Sequence, residues 1–510
     1  LFRQTRTRKV GIPREVFMSL LYEWLVNAAS VRPGVKPAGQ ALIYRDTYLS
    51  WHGLMHRVDR RAGELKAFGI EAGDWVGLML GSVPEFVVLS LALSKLDAVV
   101  VPLDPTMGGR DLDMVFAATR LRALVTRPNA APPSTTVASA PAAEPSADKP
   151  RIILESRRRI TGTLLTCAIF QRQARESLAD PVPEVVLFTL DSGGDPKGVI
   201  RGRRQLEGIG QAVAQGLEID PQMLLCTATG MHTSQGFDLG LCAALSQHAG
   251  LILDDELVAP RLAKMLAEQQ VDVLAATPTL FAAMARLPTA RPCLSKRTRC
   301  ISSGTSLSPA VARAFHKRFQ VPLLSCYQAM ETGPVSFDRE GEHPTSVGKP
   351  LPGVEIQVAS AAGAPLPVGQ QGSVWVRSAG VSADVVPPVR LRRRGDDIPI
   401  GRCSADGWLR TGDSGRLDQD GRLTLLGRED DLVKIDGRRV ALGEVEGCLE
   451  AFANVRSAEV RVEHDEDGAS RVIARVCRDG NCTPKQLIDH CAKHLAPHKV
   501  PAKIEIGEAG

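Results

Sequence analysis

Residues 15–30 place Val16, Leu20, Leu21 and Leu25 at helical spacing, and 54–68 repeat that apolar stripe, so both read as amphipathic helices. Between them AGQALIYRDTYLSW reads as a β-hairpin. The apolar run WVGLML at 75–80 is closed by Gly81 and Ser82, then come a helical pattern over 84–96 and a second apolar run, AVVVPL. Two uninterrupted apolar runs around a helix predict a βαβ unit with a buried parallel sheet. VVLFTL (185–190), a helix near 204–217, LLCTA and GLILDD (250–255) continue the alternation and predict a second α/β layer.

The pattern breaks twice. Residues 127–150 are almost entirely Pro, Ala, Ser and Thr, which bury too little apolar surface to order themselves and predict a flexible surface insertion. Over 348–426 short β runs (VEIQV, GSVWVR, RLTLLG) alternate with Gly, Pro and Asp and predict a small β-barrel or curled sheet. GREDDLVKIDGRRV then leads into a compact tail with helices over 442–453 and 483–495. The fold class expected is α/β: an N-terminal body over 1–427, made of two α/β subdomains and a small β-barrel subdomain, followed by a small α/β C-terminal cap over 428–510.

Composition narrows the function classes. The 510 residues, 44% hydrophobic and 23% charged, exceed what one core can serve, so two or more domains are expected. Lys and Arg number 62 against 57 Asp and Glu, a formal charge of +5, with no long basic run except 390–394, so no nucleic-acid binding is read. Eleven cysteines, scattered and without a metal-type CxxC pair, suit a reducing, cytoplasmic compartment. The most apolar stretch, 86–103, is interrupted by Lys95 and Asp97, so no membrane span and no signal peptide is read.

Four segments then carry a resemblance. LSWHGLMHRVDRRAGELKAFGIEAGDWVGLMLGSVPEFVVLSLALSKLDAVVVPLDP is similar to the opening of acyl-CoA synthetases and adenylation domains. CYQAMETG (326–333), GWLRTGDSGRL (407–417) and GREDDLVKIDGRRVALGEVE (427–446) follow in that family's order. From about residue 20 to about 508 the chain resembles the adenylate-forming superfamily of acyl-CoA synthetases, adenylation domains and luciferases. In look it is nearest to free-standing acyl- or aryl-CoA ligases.

The resemblance implies site roles. Tyr327 would stack on adenine, and Glu331, a hard oxygen donor, would hold Mg²⁺. Alone, such a pair would be a core-edge aromatic and a solvated charge, but it follows a loop, SSGTSL, whose Ser303, Gly304 and Thr305 fall where the family binds nucleotide. Met330 replaces the family's phosphate-bonding Thr, and Gln328 its Gly. Asp413 would accept both ribose hydroxyls, Arg428 would lie near the nucleotide, and Asp430 would be the hinge of a mobile cap. Gly437 and Arg439 would lie on the thiol or CoA side. His232, Gly236 and Phe237 would line the acyl pocket. Asp238 could anchor a substrate ammonium, as in amino-acid-activating domains, although a helix-capping or surface Asp is the more ordinary reading.

The phosphate loop departs from the family's TSGTTGxPKG, reading FTLDSGGDPKG. Lys197 matches, as a catalytic residue beside Glu331, and Ser192, Gly193 and Gly194 fall in the loop, but both Thr are missing. Asp191 and Asp195 put carboxylates beside the triphosphate. One such charge about 4 Å from a phosphate costs roughly 4 kcal/mol at an effective dielectric near 20. The family's later GK lysine lies beyond Gly510.

The function implied is ATP-dependent activation of a carboxylic acid as acyl-AMP and its transfer to the thiol of CoA or of a carrier protein's phosphopantetheine. ATP, Mg²⁺ and CoA would be the cofactors, and a separate acyl carrier protein a possible partner. One alternative is a degenerate member that binds acyl-AMP or another ligand with poor adenylation. A second is an amino-acid-activating adenylation module.

Overall fold

The computed structural model describes residues 18–507 except 31–39, 108, 120, 128–151, 161–162, 171–182, 191–195, 289–293, 344, 383–384, 387–399, 430–431, 436–437, 465–469, 479 and 496–498. The expected Pro/Ala-rich insertion thus lies almost wholly outside the described residues.

Two large sheets organise the body. One has nine strands, in the order Lys349–Pro350, Gly333–Phe337, Leu323–Ala329, Arg299–Ser302, Val273–Ala276, Leu224–Thr227, Gly250–Leu253, Leu42–Tyr44 and Thr47–Leu49. The other has eight, in the order Val385–Val386, Pro196–Arg201, Val185–Leu190, Val99–Pro102, Trp75–Met79, Ala123–Thr126, Thr163–Phe170 and Ile152–Ile160. The period of two along each strand sorts side chains to opposite faces. Val76, Leu78, Leu225, Ala275 and Ile301 meet in one core with the helices Leu20–Ser30, Trp51–Ala67, Pro84–Lys95 and Arg203–Gly216. Trp75, Met79 and Val101 turn the other way, toward Leu112 and Phe116 of Gly109–Thr119. Cys226, Leu274 and Cys300 likewise face Leu262, Phe281 and Phe315 of three outer helices. The body is therefore layered helix, sheet, helix, sheet, helix, and Pro84–Lys95 is apolar nearly all round because it lies between two sheets.

The hairpin expected near residue 45 forms, with Leu42–Tyr44 antiparallel to Thr47–Leu49 and Arg45 at φ +54° in its turn. Ile152–Ile160 and Thr163–Phe170, an antiparallel pair at the edge of the eight-stranded sheet, have no counterpart in the pattern reading. Their sequence explains it. Glu155 and Arg157–Arg159 break the alternation, as charges on an edge strand do.

Glu355–Ala359, Gly372–Arg377, Leu409–Leu417 and Leu423–Arg428 form a four-stranded antiparallel sheet in the expected β-rich stretch. Beyond it, Leu442–Ala451 and Pro484–His494 pack on a three-stranded sheet around a separate core that includes Val445, Leu449, Val476 and Leu487. Among the described residues no helix is long and apolar enough to cross a membrane.

Candidate active site

Lys197 stands near the start of Pro196–Arg201, opposite Thr189 in the antiparallel ladder. Its ammonium ion-pairs with Glu331 in the turn between Leu323–Ala329 and Gly333–Phe337, 134 residues on. The two side chains are 18% and 16% exposed, so the pair is shielded but reachable. Gly401, at φ +74°, passes so close that a Cβ there would sit 3.1 Å from Lys197 Nζ. A glycine is the residue that allows both that backbone angle and that approach.

Four residues along the same strand, Arg201 is wholly buried and ion-pairs with the equally buried Asp238. Its second arm donates to the Met330 carbonyl at 2.8 Å, so one strand grips the turn by the Glu331 carboxylate and by the preceding carbonyl. The Ser382 amide donates to the Glu331 carbonyl at 2.7 Å and its hydroxyl to that of Ile200, a third tie between turn and strand. Asp238 lies in a π-helical turn, Phe237–Cys242, and its other oxygen accepts from Ser234 Oγ at 2.9 Å. The surface or helix-capping reading of Asp238 is therefore corrected. Its two oxygens accept from the protein's own donors, Arg201 and Ser234.

On the other side of Glu331, the buried Tyr327 donates its hydroxyl to Asp413. Burial first, then the Asp413 charge, pushes the Tyr327 hydroxyl well above its ordinary value, so it stays a donor. Burial also raises the Asp413 carboxyl, against the Tyr327 bond and the charge of Arg428. Asp413 and Arg428 face each other across the ladder, with Arg428 Nη1 3.8 Å from Asp413 Oδ1. Gly412, at φ +87°, brings the backbone under that guanidinium: a Cβ there would lie 3.1 Å from Arg428 Nη2.

The remaining candidates belong to several separate elements. Ser303 is fully buried, its amide bonded to the Ala276 carbonyl at 3.2 Å, whereas Gly304 and Thr305 are exposed. Met330 is half-buried against the central core. His232 lies 3.6 Å from Asp104, and burial holds its imidazole below the ordinary value. Gly236 packs so tightly that a Cβ would meet the Gly230 carbonyl at 2.3 Å, and Phe237 sits wholly within the central core. Arg439 belongs to Arg438–Ala441, paired with Lys434. Ser192, Gly193, Gly194, Asp430 and Gly437, with Asp191 and Asp195, lie outside the described residues.

A family model described as AMP-binding enzyme matches residues 31–384. The chain belongs to the AMP-binding enzyme family. Similar members include a dimodular nonribosomal peptide synthase of Bacillus subtilis, 25% identical over 92% of this chain but only 20% of that protein. Another is a 2-succinylbenzoate–CoA ligase of Bacillus licheniformis, 24% identical over 94% of each chain. The crystal structure of an anthranilate CoA ligase with anthranoyl-AMP superposes at a TM-score of 0.77, with 19% identity over 96% of this chain and 94% of that one. Several of the peptide synthases it matches are far longer, so this AMP-binding chain spans a small part of them.

Two residues of this candidate site escaped the sequence reading. Arg201 had only a weak signal: it ends a strand, PKGVIR, that already carries Lys197, so its charge did not mark it as buried. Gly401 had none, because its approach to Lys197 comes through a crossing of distant segments.

Proposed function

We propose that this chain activates a carboxylic acid with ATP as acyl-AMP and passes the acyl group to a thiol. The observation that supports it is the Lys197–Glu331 pair standing beside the Tyr327–Asp413–Arg428 chain, a cation and an acidic ligand next to an aromatic and a carboxylate. Asp413 suits ribose hydroxyls, to which an ionised carboxylate offers two oxygens. Lys197 and Glu331 neutralise each other, and an arriving triphosphate would take over Lys197. Glu331 would then be released as an oxygen ligand of the kind Mg²⁺ accepts. Among the described residues no three His, Cys, Asp or Glu side chains cluster, so such an ion would draw its other ligands from phosphate and water. The ion supplies positive charge where the leaving pyrophosphate gathers negative charge.

In the first half-reaction a carboxylate oxygen bonds to the α-phosphorus and the bond to the β-phosphate oxygen breaks, releasing pyrophosphate. In the second, a thiolate bonds to the acyl carbon, the bond to the AMP oxygen breaks, and AMP leaves; the thiol proton goes to solvent. CoA and a carrier protein's phosphopantetheine are both thiols this scheme would accept. Trapping with hydroxylamine tests it: acyl-hydroxamate should form from a carboxylic acid only with ATP and Mg²⁺. Tight binding of an acyl-AMP analogue without hydroxamate formation would favour the altered loop, with Asp191 and Asp195, as a barrier to adenylation.

A further inference from the structure

The separate C-terminal core holds two cysteines that stand apart from the candidate site. Cys448 lies on Leu442–Ala451, three residues past the wholly buried Val445 and next to the wholly buried Leu449, so it sits at the margin of the buried face and is half-buried. Cys491 lies on Pro484–His494, four residues past Leu487, and both of these side chains are fully enclosed in that core. Helical spacing of three and four keeps such positions on one face.

The two helices are pinned together at this level. The His490 ring donates from Nε2 to the Cys448 carbonyl at 3.1 Å and meets the Phe452 ring edge-on, with centroids 5.3 Å apart. Here the thiols also meet, and the Cys491 thiol donates a hydrogen bond to the Cys448 sulfur. That bond holds the Cys448 thiol below its ordinary value, against burial and the charge of Glu444, and it raises Cys491. Glu444 is itself ion-paired with Lys499. Elsewhere burial pushes thiols the other way, Cys167 up to about 11 and Cys226 and Cys326 up to about 12. The thiolate is the reactive form, so Cys448 combines access, a favoured thiolate and a neighbouring thiol that can resolve its oxidation product.

We propose that Cys448 and Cys491 are a redox pair that a hydroperoxide oxidises to a disulfide, cross-linking the helices Leu442–Ala451 and Pro484–His494. The Cys448 thiolate attacks a peroxide oxygen, the O–O bond breaks, and a sulfenic acid forms as water leaves. The Cys491 sulfur then bonds to the Cys448 sulfur, the S–O bond breaks, and a second water leaves. Two thiols thus lose two electrons and two protons, and hydrogen peroxide takes them up as it becomes two waters. Cysteines whose side chains diverge cannot be bridged without backbone movement, a requirement that sulfurs already in contact avoid. The bond closes a loop that contains the antiparallel strands Val455–His464 and Ser470–Arg478. In a reducing compartment such a disulfide is transient and senses oxidant rather than serving the fold.

Peptide mapping of the full chain tests this. Trypsin releases residues 440–456 and 486–493, which carry Cys448 and Cys491 as their single cysteines. The chain is treated with graded hydrogen peroxide, and the remaining thiols are alkylated under denaturing conditions. The joined peptide, two hydrogens lighter than its parts, should reach half-yield at a peroxide concentration about tenfold or more below that at which half of Cys226 or Cys326 escapes alkylation. Dithiothreitol should abolish it. In Cys448→Ser, Cys491 should stay alkylatable at that concentration, because no sulfenic acid forms beside it. Absence of the joined peptide, with Cys448 recovered alkylated or as its sulfinic acid, overturns the proposal. So does equal loss of the Cys491 thiol in Cys448→Ser. If that variant does not fold, the peptide map of the unaltered chain still decides.

Discussion

Lys197 and Arg201 leave one strand four residues apart, each reaches a carboxylate, and both partners tie that strand to other elements. Only their depth differs. The Lys197–Glu331 pair keeps some contact with solvent, so a phosphate or a metal ion can exchange with either member. The Arg201–Asp238 pair has none, so neither charge has an alternative partner, and the bond serves to hold the Met330 turn in place. Burial thus separates a pair that a ligand can open from a pair that fixes what the ligand meets.

Breaking the deep pair should have the largest effect. Arg201→Met strands a buried carboxylate and should lower stability by about 3–5 kcal/mol, measured by denaturant unfolding, whereas the double variant with Asp238→Leu should regain much of that loss. Equal losses in the single and double variants would show that the charge is not the issue. Lys197→Ala should reverse the profile: hydroxamate formation falls roughly 10²–10³-fold, while the unfolding midpoint moves less than half as far as in Arg201→Met.

A third carboxyl sharpens the contrast. Glu184, whose amide donates to the Arg201 carbonyl, is raised from 4.5 to about 7 by burial, against the Leu20 N–H bond and the charge of Arg203. The folded chain keeps this proton up to about pH 7, whereas the unfolded chain releases it near 4.5. Its contribution to stability is complete below pH 4.5 and is lost as pH rises through 7, at most about 3 kcal/mol. Glu184→Gln should remove that part of the slope of stability against pH between 4.5 and 7. The smallest effect belongs to Ser234→Ala, which deletes one donor to Asp238 and should cost about 1–3 kcal/mol in stability; a change near zero would mean that Arg201 alone satisfies the carboxylate.

Much of the fold was legible because its signals are local. The runs at 75–80 and 99–103 are strands because they are apolar on both faces, and Trp51–Ala67 is a helix because its apolar residues recur every three to four positions. Lys197, Glu331, Tyr327, Asp413 and Arg428 could be picked out by motif, and the fold brings all five into one cluster. Ile152–Ile160 was not legible, since charged positions on an edge strand remove the alternation that marks a strand.

The sequence by itself determined the element types, the family resemblance and the identity of those five residues, because periodicity and motif spacing are written along the chain. Tertiary structure alone decided which charges meet. Arg201 finds Asp238 37 residues away, Lys197 finds Glu331 134 away, and Gly401 passes over Lys197. Those contacts follow from how two sheets pack around shared helices, and the burial that packing creates decides whether a given charge is available to a ligand or committed to the fold.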